Sequence, residues 1–337
     1  MKLIRPSVEI RQQRPGMDGM FEHIEWAGRH CYKSHDKTTA TSARDFVSRI
    51  AKSGHGSVLE HGTIYLAVPD AECAMRYIAN PYSRVKPYLA GGWAITTNYR
   101  VIVENNWDLD LTYECEPTEY HEKRITAKFV TDRGVSHEFV RHRRMTFSQE
   151  STRYCNYGKD KFGGQITFIK PSWWNTKNEN REAFKEALLK AEETYLNAIK
   201  AWDEKKQDRR FRTKYKGNPL SPQMARMILP NATKTELVMT GFESDWEFFF
   251  TLRCSQAAHP DARHLANKLK KLMNVEVNAD GFKQIEERCI NRHSEPSLAP
   301  SVNRFKAYQY EAESLIKKED RIKEAEFLMI KNNEEKN

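Results

Sequence analysis

The sequence predicts an α+β fold: one helix-rich domain over residues 1–300 around a mixed or antiparallel sheet, followed by a charged amphipathic helix over 301–337. Two observations predict it. Long stretches carry apolar residues at helical spacing, the clearest being Phe184, Leu188, Ala191, Tyr195, Ile199 and Trp202 on one stripe. The strand-like segments are few and do not alternate with helices as regular βαβ units, and no Gly-x-Gly-x-x-Gly fingerprint is present.

The elements follow in order. Phe21, Ile24, Ala27 and Cys31 fall at helical spacing. Ser42 can cap a helix whose face is Ala43, Phe46, Val47 and Ile50, and Gly54 can end it. Residues 54–61 read as a small-residue loop that lets backbone approach a ligand closely, and 63–68 as a strand. Glu60 and His61 read as a buried hydrogen-bonded pair; no third ligand joins His55 and His61, so no metal is expected. A helix over 70–80, a Gly91-Gly92 turn and a strand over 98–103 come next. Alternation makes 124–131 a strand. Asp132 can cap the helix after it, which turns Val135, Phe139 and Val140 inward and brings Arg141–Arg144 to its C-terminal end, where the dipole favours cations. After a Gly163-Gly164 turn and a strand over 165–169 comes the aromatic stripe, a core feature rather than a cofactor box. The basic run 205–216 reads as a solvated connection. Ser221 can cap a helix with Pro222 at its first position, and Pro230 stops it. Residues 234–240 form a strand, Ser244 and Glu247 a capping box for a helix to Arg253, and Leu265, Leu269 and Leu272 the inner face of another helix.

The bulk numbers exclude several classes. The chain has 337 residues, with 39% hydrophobic and 30% charged, which suits a globular protein with a sizeable core. No apolar run approaches the roughly 18 residues that span a bilayer, and the first residues lack a signal-peptide apolar region, so a cytoplasmic protein without membrane partners is expected. The six cysteines are scattered with no Cys-x-x-Cys pair, which argues against a zinc ribbon or a thioredoxin motif. The formal charge of +9 fits an enzyme whose ligands are anions as well as it fits nucleic-acid binding, but no nucleic-acid module is recognisable.

One stretch concentrates the chemistry. Residues 138–154 hold four arginines, Arg141, Arg143, Arg144 and Arg153, together with His142, Ser148, Ser151 and two threonines. Arginine forks suit phosphate and carboxylate, and hydroxyls beside them suit a pocket that orients one ligand. A solvated basic loop or a nucleic-acid-facing helix is the plainer reading. Val135, Phe139, Val140, Met145 and Phe147 thread through the run and require part of it to be buried. Arg226 also sits among apolar neighbours, where its charge needs a partner.

Arg141-His142-Arg143, seven residues, then Ser151, one residue, and Arg153-Tyr154 resembles the signature of the flavin-dependent thymidylate synthases. The resemblance covers 42–65 and 124–275, and it implies that residues 1–300 are the catalytic domain. Compact members pass more directly from the 63–68 strand to the signature, so 69–123 looks like an insertion, whether lid, oligomer contact or elaboration. The implied reaction is reductive methylation of dUMP to dTMP, with methylenetetrahydrofolate as carbon donor and FAD, reduced by NADPH, as hydride donor. The implied assembly is a homotetramer with sites shared between subunits. For FAD the resemblance points to His55, Ser57, Arg141, His142, Arg143 and Gln149. For dUMP it points to Arg141, Gln149, Glu150, Ser151, Arg153, Arg226 and Arg253, with Arg253 catalytic through polarisation of the uracil ring. Ser151 as a nucleophile lacks an activating base and is discounted. The chain departs from the family at Phe242 and Phe248, where compact members have asparagines, and at Ala257, where they have histidine. A flavin-less relative and a basic nucleic-acid binder are the two alternatives.

Overall fold

The computed structural model describes residues 1–89, 91–175, 179–207 and 221–273. The amphipathic helix expected at 301–337 and residues 208–216 of the basic run lie outside these residues; 205–207 end a helix. In chain order the strands are β1 (Lys2–Ile4), β2 (Ser7–Arg11), β3 (Thr63–Val68), β4 (Arg84–Pro87), β5 (Trp93–Asn98), β6 (Arg124–Asp132), β7 (Thr146–Gln149), β8 (Thr167–Ile169) and β9 (Lys234–Phe242). The helices are α1 (Gly16–Tyr32), α2 (Ser42–Lys52), α3 (Gly56–Leu59), α4 (Ala71–Ile78), α5 (Tyr99–Asn105), α6 (Arg133–Phe139), α7 (Arg181–Gln207), α8 (Pro222–Ala225), α9 (Glu243–Arg253) and α10 (Pro260–Leu272). The chain mixes helix and sheet with mainly antiparallel pairing, the α+β class that the sequence predicts.

The described residues divide into two compact units: Met1–Gly62 with the chain from Arg124 onward, and Thr63–Lys123. In the larger unit an antiparallel sheet runs β2-β6-β9-β7. Strands β6 and β9 pair along their whole length, from Arg124 opposite Phe242 to Asp132 opposite Lys234. Alternation selects the core face: Ala127 and Phe129 of β6 and Leu237 and Met239 of β9 are buried and pack with Val135, Phe139, Trp246, Phe249, Phe250, Leu265 and Leu269. Five of these are aromatic, and Phe139 meets Phe249 edge to face at 5.1 Å. A second cluster sits under α7, where Leu188, Tyr195 and Ile199 meet Cys155, Ile166 and Phe168. Of the stripe, Leu188, Tyr195 and Ile199 are core and Phe184 packs partly buried against them, whereas Ala191 and Trp202 are only half-buried. β1 and β8 add a short parallel pair.

In the smaller unit β3, β5 and β4 form an antiparallel sheet, with α4 capped by the Asp70 carboxylate, which accepts from the Cys73 amide at 2.6 Å. The strand expected at 98–103 is replaced by strand β5, ending at Asn98, and helix α5. The β-branched run Val101-Ile102-Val103 favours a strand by propensity, but the Asn98 side chain accepts from the Val101 amide at 3.3 Å and starts a helix.

Other boundaries differ by a few residues for local reasons. Residues 54–61 are not all loop: Gly56–Leu59 is one helical turn, with Val58 and Leu59 buried. Helix α6 ends at Phe139, so Arg141–Arg144 lie in the turn beyond it. Helix α9 begins at Glu243, and Asp245, not Glu247, reaches back to the Phe242 amide (3.3 Å). Leu272, expected inside, is 48% exposed at the end of α10. Asp132 caps α6 as predicted, accepting from the Val135 amide at 2.8 Å.

Candidate functional site

The signature run starts where α6 ends. Its backbone is pinned at several points. The Met145 amide donates to the His142 carbonyl (3.0 Å), the Glu150 amide to the Glu236 carbonyl (2.8 Å) and the Ser151 amide to the Cys31 carbonyl (2.9 Å). Met145 is buried against Gly241, where a Cβ would come within 2.8 Å of its Cε atom, so a larger residue there would displace the end of the methionine side chain. The Gln149 side chain donates to Ser136 Oγ at 2.8 Å and to Thr235 Oγ1 at 3.3 Å. The signature is therefore held by the sheet while its cationic side chains project outward.

Those cations are uncompensated. Arg141, Arg143, Arg144, Arg153 and Arg226 are exposed, and among the described residues none of them forms an ion pair. By contrast, the exposed Arg44 and the half-exposed Arg100 pair with Asp18 and Glu104. Arg226, expected to need a partner among its apolar neighbours, is instead exposed, so its charge is not buried. Arg133 joins this set and was not picked out from the sequence. Its guanidinium is half-buried, lacks an ion pair among the described residues, and is pushed below its ordinary value by burial and by Arg226 nearby. The sequence signal was a basic residue at the first position of a helix, which reads as surface.

The implied site residues fall into three groups by direct contact. In the first, Arg253 donates from Nε to His142 Nε2 (3.1 Å), from Nη1 to Glu138 Oε2 (2.9 Å) and from Nη2 to the Glu138 carbonyl (2.6 Å). His142 is buried, and burial together with the Arg253 charge lowers its pKa to about 4, so the ring is neutral. Phe248 and Phe249 flank it, at 6.0 and 4.9 Å.

The second group gathers round Tyr32, whose ring lies 5.3 Å from Tyr154 and whose hydroxyl is 3.4 Å from His55 Nδ1. Arg153 stacks over Tyr154 at 5.5 Å. Ser57 is exposed on α3, and its carbonyl accepts from Thr146 Oγ1 at 3.2 Å, which ties α3 to the signature strand.

The third group is a buried ion network. Glu150 accepts from Lys234 Nζ at 2.7 Å and from the Tyr157 hydroxyl at 2.9 Å, with Lys33 Nζ 3.6 Å away. Glu236 accepts from His30 Nδ1 (2.7 Å), Lys234 (2.7 Å) and Lys33. Burial alone would raise the Glu236 carboxyl, but the His30 bond and the two lysine charges outweigh it and hold that carboxyl well below the usual range. A cavity of about 260 Å³ adjoins the network, lined also by Lys161, Phe162, Gln165 and Thr167. Glu150 is thus committed to internal partners. Adjacent in sequence, Ser151 and Arg153 remain open.

His61 is fully buried, with its nitrogens on Thr240 Oγ1 (2.8 Å) and Ser148 Oγ (3.0 Å), so it supports the sheet. Of the departures, Phe242 is buried in the sheet end, whereas Phe248 and Ala257 are exposed. Among the described residues no cluster of three metal-ligating side chains occurs and no helix is long and apolar enough to cross a membrane. The donor set fits a flavin dinucleotide: exposed, unpaired Arg141 and Arg143 suit its diphosphate, and the exposed side chains of His55 and Ser57 stand on a turn tied to the same strand.

Residues 121–277 match the family described as thymidylate synthase complementing protein. The chain is 27% identical over 252 residues to the flavin-dependent thymidylate synthase of Mycolicibacterium vanbaalenii, covering 74% of this chain and 73% of that one. It is 24% identical over 297 residues to that of Corynebacterium glutamicum, covering 86% and 89%. It is 28% identical over 176 residues to that of Clostridium tetani, covering 52% and 67%. Over these spans the chain is similar to the flavin-dependent thymidylate synthases.

Proposed function

We propose that this protein converts dUMP to dTMP by reductive methylation, with methylenetetrahydrofolate supplying the carbon and NADPH the reducing equivalents. The observation that carries this reading is the set of exposed, uncompensated guanidiniums around a rigid signature strand. Such a surface suits polyanionic ligands. FAD, when bound, supplies the hydride. Arg141 and Arg143 hold its diphosphate, with His55, Ser57 and Gln149 beside it. Arg153 and Arg226, joined by Arg133, clamp the dUMP phosphate, and Ser151 hydrogen-bonds the nucleotide. The Arg253 guanidinium faces the uracil ring and stabilises negative charge that builds on its oxygens as C5 becomes nucleophilic. Because the implied ligands form separate groups in one chain, we read the working unit as a homotetramer whose subunits complete each other's sites. We place it in the cytoplasm.

The test is the visible absorption spectrum of the purified protein, before and after addition of NADPH and dUMP, followed by direct assay of dTMP. An oxidised-flavin spectrum that bleaches on reduction, with dTMP formed when methylenetetrahydrofolate is present, is expected. A colourless protein that takes up no added FAD would identify a flavin-less relative instead. Arg153→Ala is expected to weaken dUMP binding by about 10- to 100-fold, the usual effect of removing a charge-assisted contact. Unchanged dUMP affinity in a titration would remove Arg153 from the phosphate site.

A further inference from the structure

We propose that Glu138 and His142 are positioning residues for Arg253, so that the histidine of the Arg-His-Arg run acts through a protein side chain rather than on a ligand. This rests on the reading of Arg253 as the uracil-facing cation.

The geometry separates Arg253 from the other arginines of the site. Arg141, Arg143 and Arg226 are exposed and, among the described residues, form no ion pair, which leaves them free to adapt to a flexible polyanion. Arg253 is held at three of its five N–H groups by two residues of one turn. Glu138 takes both terminal nitrogens, one with its carboxylate and one with its carbonyl, which fixes the plane of the guanidinium. His142 takes Nε and fixes its rotation. One N–H remains on each terminal nitrogen for a ligand.

The histidine is suited to accept. A protonated imidazole has no lone pair to offer and would repel the guanidinium. Burial between Phe248 and Phe249 keeps the ring neutral, and acceptance at Nε2 places its proton on Nδ1. The Arg253 and Glu138 side chains are 17% and 32% exposed, so a ligand can reach the fork without unfolding the turn. A plain helix-end ion pair would need Glu138 alone; the buried neutral acceptor is the added part.

Four variants test this: His142→Phe, which removes the acceptor at similar bulk; His142→Gln, whose amide oxygen can stand near the Nε2 position; Glu138→Ala; and Glu138→Gln. Each is measured for kcat, KM for dUMP and flavin absorbance per chain, alone and combined with Arg253→Ala. Loss of one bond to a charged group corresponds to about a 10- to 100-fold fall in kcat for His142→Phe and Glu138→Ala. Flavin occupancy is expected to be unchanged, and the Gln variants should recover most of the loss. In the Arg253→Ala background the same substitutions are expected to have no further effect. Multiplicative losses in that background, or loss of flavin with normal turnover per bound flavin, would overturn the proposal. Normal turnover in Arg253→Ala alone would instead remove Arg253 from the reaction, and with it any role for the two residues that hold it. Should His142→Phe fail to fold, the partly exposed Glu138 pair decides the matter.

Discussion

Arg253→Ala is expected to fold, to retain flavin, and to form dTMP about 10²- to 10³-fold more slowly, with the loss in kcat rather than in KM for dUMP. That magnitude is typical of removing one preorganised donor aimed at developing charge. Folding should survive because Arg253 lies at the end of α9, and the core face of that helix is Trp246, Phe249 and Phe250. Truncation leaves Glu138 one-third exposed, so its carboxylate is rehydrated rather than stranded. It leaves His142 neutral in its pocket. The fall is expected in kcat because a ground-state uracil carries little charge for the guanidinium to meet, whereas the transition state places charge on the ring oxygens. Single-turnover dTMP formation with flavin occupancy measured in parallel gives the answer. Near-normal turnover would move the charge-stabilising role to another donor.

Much of this site was legible in the sequence because it lies in one continuous run. The dense cations of 141–153, the cap at Asp132 and the apolar residues threading the run point to a partly buried segment bearing arginines at a helix end; the structure keeps the burial and the cap but sets Arg141–Arg144 in the turn beyond α6, ahead of a strand that the sequence reading did not include. The strand 63–68 was legible for the same reason: alternation and turn signals are local. Three features were not. The bonds from Arg253 to Glu138 and His142 span 115 and 111 positions, and nothing local to either segment announces them. Lys33, Glu150, Lys234 and Glu236 lie far apart as two short segments and a strand, so their convergence into one buried network appears only once α1, β7 and β9 are assembled. Arg133 looks like a surface residue until Arg226 is brought near it. The helix at 99–105 was missed on a different ground: a β-branched run outweighed one capping asparagine, a competition that propensity decides only weakly.

The folded state is expected to lose stability steeply as pH falls from about 6.5 to 4.5, and the cause is the set of buried histidines. His23 is pushed down to about 3 by burial and by Arg11 and Arg124, His142 to about 4, and His61 well below its ordinary value by burial. Above pH 6.5 these rings are neutral both folded and unfolded and contribute no pH dependence. Below it the unfolded chain takes up a proton on each while the folded chain does not, so unfolding gains protons and is favoured by acid. Each ring contributes about 1.4 kcal/mol per pH unit in that window, so three together remove about 4 kcal/mol between pH 6 and pH 5, a large part of the 5–15 kcal/mol that typical domains possess. Glu236 adds to the trend at lower pH. Its folded carboxyl is held below the usual range, so its contribution is complete above the unfolded value of 4.5 and fades as pH falls beneath it. The two effects share a sign but occupy different windows, and the histidine window comes first. Urea unfolding at pH 7.5, 6 and 5 is expected to show the midpoint falling, and His23→Gln, which retains a group able to meet Thr126, should reduce proton uptake on unfolding at pH 5 by about one. A midpoint that stays constant from pH 7.5 to 5 would mean that these rings take up protons in the folded protein, and that the chain His23–Thr126–Thr240–His61 is open to water rather than sealed within the sheet.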